Sequence, residues 1–203
     1  SGRKGPVWID VPLNIQAGMI ELGDACHYKE ETEEYVVSNE DMNYFWKEFK
    51  QAKRPVVLAG NGIHLARAEK ELKKFLYRYG LPMVHTRLGN GFISAYDEHS
   101  IGMVGSVGTT RAGNFTIQNS DLIICLGSRL SINTTGYEYE KFAREAKLIV
   151  VDIDEEEHTK KTVKIDYFIH SDVKKFLEIV NSKDKIDKNN LEWLKKCIHW
   201  KET

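Results

Sequence analysis

Four short groups of residues have the types and spacing for ligand chemistry. They are Gly60-Asn61-Gly62; Thr86-Arg87, followed by Gly89 and Gly91; Gly127-Ser128-Arg129; and Asp152-Ile153-Asp154. Each stands directly after a short apolar run. Glycines let a backbone approach a ligand closely, and amides at the start of a helix suit phosphate. The guanidinium groups of Arg87, Arg111 and Arg129 are planar donors that match phosphate geometry. A carboxylate after a late strand, here Asp152, can accept hydrogen bonds from ribose hydroxyls. Taken together the groups point to an anionic nucleotide. Taken singly, each glycine is equally explained by a tight strand-to-helix turn. The first run is followed by "GNGIHL" and not by Gly-x-Gly-x-x-Gly, and there is no Walker A motif. His64 and His85 also stand near the ends of runs, but a lone histidine without a visible partner is usually structural.

The elements that must position these groups follow from periodicity. The apolar runs predict parallel strands at 56–59, 82–85, 101–104, 122–126, 148–152 and 166–169. Between them, "SNEDMNYFWKEFKQ" repeats Met42, Phe45, Trp46 and Phe49 at helical spacing, with Ser38 or Asn39 as N-cap. "ARAEKELKKFLYRYG" places Leu72, Phe75 and Leu76 on one face and ends at Gly80. "TRAGNFTIQNS", "GYEYEKFAREA" and "DVKKFLEIVN" are further helical candidates. Strands alternating with helices predict an α/β domain over 38–181: a Rossmann-like, doubly wound, six-stranded parallel sheet with helices on both faces. The tail, 182–203, reads as a charged linker and then a helix with Leu191, Leu194 and Ile198 on one face. At the other end, "GPVWIDVPLNIQ" reads as a strand, Val7 to Val11 between Pro6 and Pro12, followed by a patternless stretch over 17–37.

Composition narrows the function. In 203 residues, 29 basic side chains against 30 acidic ones give a net charge of −1, no electrostatic basis for binding nucleic acid or an anionic membrane. No apolar run approaches the ~20 residues of a membrane span, and the N-terminus has no signal-peptide pattern. The three cysteines, Cys26, Cys125 and Cys197, are scattered, which argues against a disulfide framework or a structural zinc site. Cys26-His27 lacks two further metal ligands, and Cys125 sits in the apolar run "DLIICLG". A cytoplasmic protein is expected.

In this order, "GPVWIDVPLNIQ", "RPVVLAGNGI", "GLPMVHTRLGNG", "GMVGSVGTTRAGNFTIQNSDLIICLGSRL" and "LIVVDIDEEE" carry a resemblance. Over about residues 5 to 180 the chain resembles the central domain of thiamine-diphosphate-dependent enzymes of the acetolactate synthase type. The resemblance implies that residues 1–16 are the last strand of a preceding pyrimidine-binding domain, 17–37 a linker, and 182–203 the lead into a pyrophosphate-binding domain. Those two domains of the same polypeptide would be the partners, in a homodimer or homotetramer that uses thiamine diphosphate and Mg2+ on a 2-keto acid. The Gly-Asp-Gly motif that holds that cofactor is absent; Gly23-Asp24 is followed by Ala25. The chain alone is therefore expected to be inactive, with no catalytic residue and no metal site. Where family members bind FAD or ADP in this domain, the matching positions are Gly60, Gly62, Thr86, Arg87, Gly127, Ser128, Arg129, Asp152, Ile153 and Asp172. Two departures bear on flavin: Leu130, Ser131 and Ile132 replace the usual Phe-Asp-Asp, and "GSVGTT" replaces "GMHGT". Two other classes stay open, a free-standing nucleotide-binding enzyme such as a deacetylase of the related NAD-binding fold, and an interaction module whose glycine loops are only turns.

Overall fold

The first apolar run of the α/β region, Pro55–Ala59 (β1), lies at the centre of a sheet and is buried along its whole length. In chain order it is joined by Met83–His85 (β2), Ser100–Met103 (β3), Leu122–Leu126 (β4), Lys147–Asp152 (β5) and Tyr167–His170 (β6). All pair in parallel, in the order β3-β2-β1-β4-β5-β6. The chain winds outward from β1 to β3, crosses back, and winds outward again from β4. Pro55 to Ala59 face Leu122 to Leu126 in register, so the turns leaving β1 and β4 emerge side by side. Inner parallel strands are covered on both faces, which is why β1 and β4 read as unbroken apolar runs. The expected strands form, with ends displaced by one residue or none.

The structure is a computed structural model describing residues 5–21, 23, 29, 35–184 and 186–203. It contains two compact units, one ending at residue 34 and one comprising Tyr35–Thr203. In the first unit Val7 to Val11, read from the resemblance as the last strand of another domain, form no strand among the described residues. Residues 5–12 have no ladder partner among the described residues, and Leu13–Gln16 (α1) make a single helical turn. Strand propensity is expressed only when a neighbouring strand takes up the backbone hydrogen bonds. Here the Ile15 and Gln16 amides donate to the Pro12 carbonyl, and the Gln16 amide side chain donates to the Val11 carbonyl.

In the second unit the helices pack by the apolar faces read from sequence. Asn39–Gln51 (α2) begins with a capping box: Ser38 Oγ accepts from the Asp41 amide at 3.0 Å, and Asp41 Oδ2 accepts from the Ser38 amide at 2.8 Å. Glu69–Tyr79 (α4) stops at Gly80, whose φ of 61° is left-handed. With Val173–Ser182 (α7) these helices bury Phe45, Trp46, Phe49, Phe75, Tyr79 and Phe176 against one sheet face. Arg111–Gln118 (α5) and Leu191–Glu202 (α8) belong to the opposite layer, around Val56, Leu58, Ile123, Cys125 and Val150. Gly62–Ala66 (α3) and Ile132–Thr135 (α6) are one-turn helices.

Two helical expectations are corrected. "GYEYEKFAREA" forms only a 3-10 turn at Tyr139–Lys141. Its alternating tyrosines and glutamates supply no apolar stripe, and short helices form mainly by burying one. In α8 the buried residues are Trp193, Leu194 and Cys197, while Leu191 is half exposed. The indole turns the helix, because Trp193 Nε1–H reaches the Pro55 carbonyl at 3.0 Å. Cys125 and Cys197 are free and buried. Cys26 and His27 lie outside the described residues. Among the described residues, no helix is long and apolar enough to cross a membrane.

Candidate functional site

The glycines after β1 and β4 meet where the sheet order reverses. The Gly60 amide donates to the Leu126 carbonyl at 2.9 Å, the Gly62 amide to the Gly127 carbonyl at 2.9 Å, and the Gly127 amide to the Val151 carbonyl at 3.0 Å. A Cβ on Gly60 would overlap the Gly127 carbonyl oxygen, and one on Gly62 would stand 2.6 Å from Gly127 Cα. Gly127 itself has φ 57°. The reading of the strand-end glycine amides as phosphate donors is therefore corrected at Gly60 and Gly62. These amides are engaged within the protein, and the glycines are required because two backbones cross with room only for hydrogens.

The side chains around this crossing are more available. Because β2 and β4 flank β1, Arg87 and Arg129 stand on either side of the Gly60–Gly62 turn. Arg87 is exposed, with its guanidinium beside Gly108. Arg129 is 57% exposed, and its Nε lies 3.4 Å from Glu157 Oε1. Lys160 ties this corner together by donating to the Arg129 carbonyl at 2.7 Å and pairing with Glu157. Leu130, next in sequence, has φ 49°. Ser128 is buried and accepts from the Leu130 amide at 3.3 Å, and Thr86 is buried with its amide on the Ala59 carbonyl at 3.0 Å.

Asp152 ends β5 half-buried. Its Oδ1 accepts from the Asp154 amide at 3.1 Å, and its Oδ2 lies 3.6 Å from His158 Nε2. The carbonyl of Ile153 faces His170 Nε2 at 3.0 Å. Asp172 stands apart from this group: its Oδ1 caps α7 by accepting from the Lys174 and Lys175 amides at 2.9 and 3.2 Å. Arg111 also differs from the strand-end arginines. It lies over the Phe115 ring at 4.7 Å and lines a cavity of about 510 Å3, with Met83, His85, Ile101, Met103 and Trp200.

Sequence reasoning missed His158. Its side chain is 3% exposed, neither ring nitrogen has a hydrogen-bond partner among the described residues, and its ring lies 5.2 Å from Phe168. In the text it is one residue of the charged run "DEEEHTKK". The only signal is its place just after a strand-ending aspartate. Among the described residues, no group of three or more His, Cys, Asp or Glu side chains could hold a metal ion.

A six-stranded parallel sheet in the order β3-β2-β1-β4-β5-β6, reversing between β1 and β4 beneath glycine turns, defines a Rossmann-like doubly wound domain. The chain belongs to the family described as thiamine pyrophosphate enzyme, central domain, which matches residues 43–180. It is 34% identical to a probable acetolactate synthase large subunit of Methanococcus aeolicus, over 96% of this chain and 35% of that protein. It is 31% identical to the acetolactate synthase large subunit of Lactococcus lactis subsp. lactis, over 100% of this chain and 35% of that protein. A glyoxylate carboligase of Escherichia coli O157:H7 is 32% identical over 76% of this chain and 26% of its own length. The chain thus spans about a third of the length of the acetolactate synthase relatives it matches.

Proposed function

We propose that this chain is the central domain of a cytoplasmic, acetolactate synthase-like enzyme that uses thiamine diphosphate and magnesium on a 2-keto acid. Its partners would be a pyrimidine-binding and a pyrophosphate-binding domain of the same polypeptide, in a homodimer or homotetramer. The family and the names of the relatives support this reading. The domain's task is to hold the other two in place. No step of the thiamine chemistry is assigned to its residues.

We further propose that the adenine-nucleotide part of FAD, or ADP, lies across the carboxyl ends of its strands. One observation carries this: two exposed guanidinium groups, Arg87 and Arg129, flank the glycine crossing, with the Asp152 carboxylate one strand further on. The phosphates would be held by these side chains, since the glycine amides are engaged, and the ribose would be met by Asp152. Gly60, Gly62 and Gly127 would let the ligand lie close to the backbone, beside Thr86, Ser128 and Ile153, whereas Asp172 would act through the cap of α7. Calorimetric titration with ADP and with FAD tests the proposal. Arg129→Ala should weaken binding by about 1.5–3 kcal/mol, the range for a charged hydrogen bond. Unchanged affinity would remove Arg129 from the site. Failure of both ligands to bind at millimolar concentration would favour the second reading, a scaffold without nucleotide, which the engaged glycine amides support.

A further inference from the structure

We propose that His64 is a proton-operated latch that fastens the loop between β2 and β3 to the turn after β1. His64 lies on α3, with Nδ1 2.8 Å from Glu69 Oε1 and Nε2 2.9 Å from the carbonyl oxygen of Asn90. Its ring rests on that of Phe92, centroid to centroid 4.3 Å. Both atoms facing the ring nitrogens are acceptors. Only the imidazolium carries an N–H on each nitrogen, so only the charged form can make both bonds. The neutral ring has one N–H. The Glu69 carboxylate, the stronger acceptor, keeps that N–H on Nδ1, so Nε2 turns its lone pair toward the Asn90 carbonyl and the hold on the loop is lost.

The loop depends on few such ties. Residues 86–99 contain no helix or strand, and Leu88 and Tyr96 are largely exposed. The far end is held by Tyr77 Oη–H donating to Asp97, and by Lys201 Nζ donating to the Ala95 and Asp97 carbonyls at 2.7 and 3.1 Å. At the near end His64 supplies the side-chain hydrogen bond, to Asn90, beside Phe92, which is itself buried in the core.

The charges around the latch are few. Glu69, from the start of α4, faces the ring directly; Lys174, from the first turn of α7, acts on Glu69 in turn; the loop contributes only the neutral Asn90 carbonyl and Phe92. The bond to the Asn90 carbonyl, helped by the Glu69 carboxylate, outweighs burial and raises the His64 pKa above its ordinary value. A raised histidine pKa means that the latch is fully made below about 6.5 and is released as pH rises through the raised value. The latch stands on geometry alone. A consequence for ADP affinity, through Arg87 three residues before Asn90, rests on the nucleotide reading above.

The test is hydrogen exchange of the segment 88–93, corrected for intrinsic chemical rates, together with an NMR titration of His64. Between pH of about 5.5 and about 8.5 the corrected exchange should rise about fivefold, the loss of one ordinary hydrogen bond. In His64→Gln, whose amide does not titrate in this range, that rise should vanish. Glu69→Gln leaves the turn intact and should bring the histidine titration, and with it the exchange step, to lower pH. An exchange profile flat across this range, or a step that persists in His64→Gln, overturns the latch. ADP titrations on the same samples separate the two ideas: an exchange step without ADP binding sinks only the nucleotide reading. If ADP binds, its affinity should fall with pH in the parent chain and not in His64→Gln.

Discussion

After β1 and β4, and in the loops after β2 and β3, glycine follows close on a strand, yet the structure uses these glycines for different reasons. At the β1–β4 crossing, glycine is needed for space: a Cβ on Gly60 or Gly62 would enter the backbone of Gly127, and all three amides are engaged. On the β2–β3 side, Gly91 and Gly108 are needed for torsion. Their φ values are 89° and 66°, a Cβ at Gly91 would meet no described atom within 4 Å, and one at Gly108 would lie 3.4 Å from the mobile end of Arg87. Glycine that makes room for another backbone is closed to ligands. Gly91 and Gly108, in left-handed turns away from any backbone crossing, leave their surface open, whereas a Cβ on Gly89 or Gly105 of the same loops would overlap the Ala59 or Asn133 carbonyl oxygen.

Substitution breaks or sharpens this comparison. Gly60→Ala should have the largest effect, about 3 kcal/mol or more, because the colliding atoms are backbone and cannot swing away. Urea denaturation would measure it, and a loss below about 1 kcal/mol would show that the crossing can relax. Gly108→Ala should cost only about 1–2 kcal/mol, the strain of a left-handed alanine, since the Arg87 side chain can give way. Arg87→Ala should be the mildest. With an exposed side chain removed, stability should stay within about 0.5 kcal/mol, and any loss of ADP affinity would then be a loss of contact rather than of fold.

The sheet was legible because its inner strands are buried on both faces. Nothing but a continuous apolar run such as Leu122–Leu126 can occupy that position, and Gly127 marks its end. The Ser38 cap and the Gly80 stop were legible because each is a local event, decided within four residues of chain. What could not be read depends on distant partners. Val7 to Val11 have strand chemistry but need a neighbour to become a strand. The face of α8 was settled by a carbonyl at Pro55, far away in sequence. The family resemblance supplied the strand-end positions, but not that the Gly62 amide would be taken by Gly127, or that Asp172 would serve a helix cap. His158 was hidden because a charged run ordinarily means a solvated turn, whereas the turn at Glu156–His158 folds its imidazole inward.

The two buried thiols make the molecule its own clock. Cys125 lies in the inner strand β4, and Cys197 lies on the buried face of α8 near Thr116 of α5. Burial pushes both thiol pKa values up, that of Cys197 to about 12, so neither offers thiolate to a labelling reagent while the fold is closed. Detachment of α8 would release Cys197 and leave Cys125 covered, whereas Cys125 reacts only when the sheet itself opens. RT times the logarithm of the ratio of the two labelling rates, corrected for intrinsic thiol reactivity and read with Cys26 replaced by serine, is therefore the free-energy gap between peeling the last helix and unfolding the core.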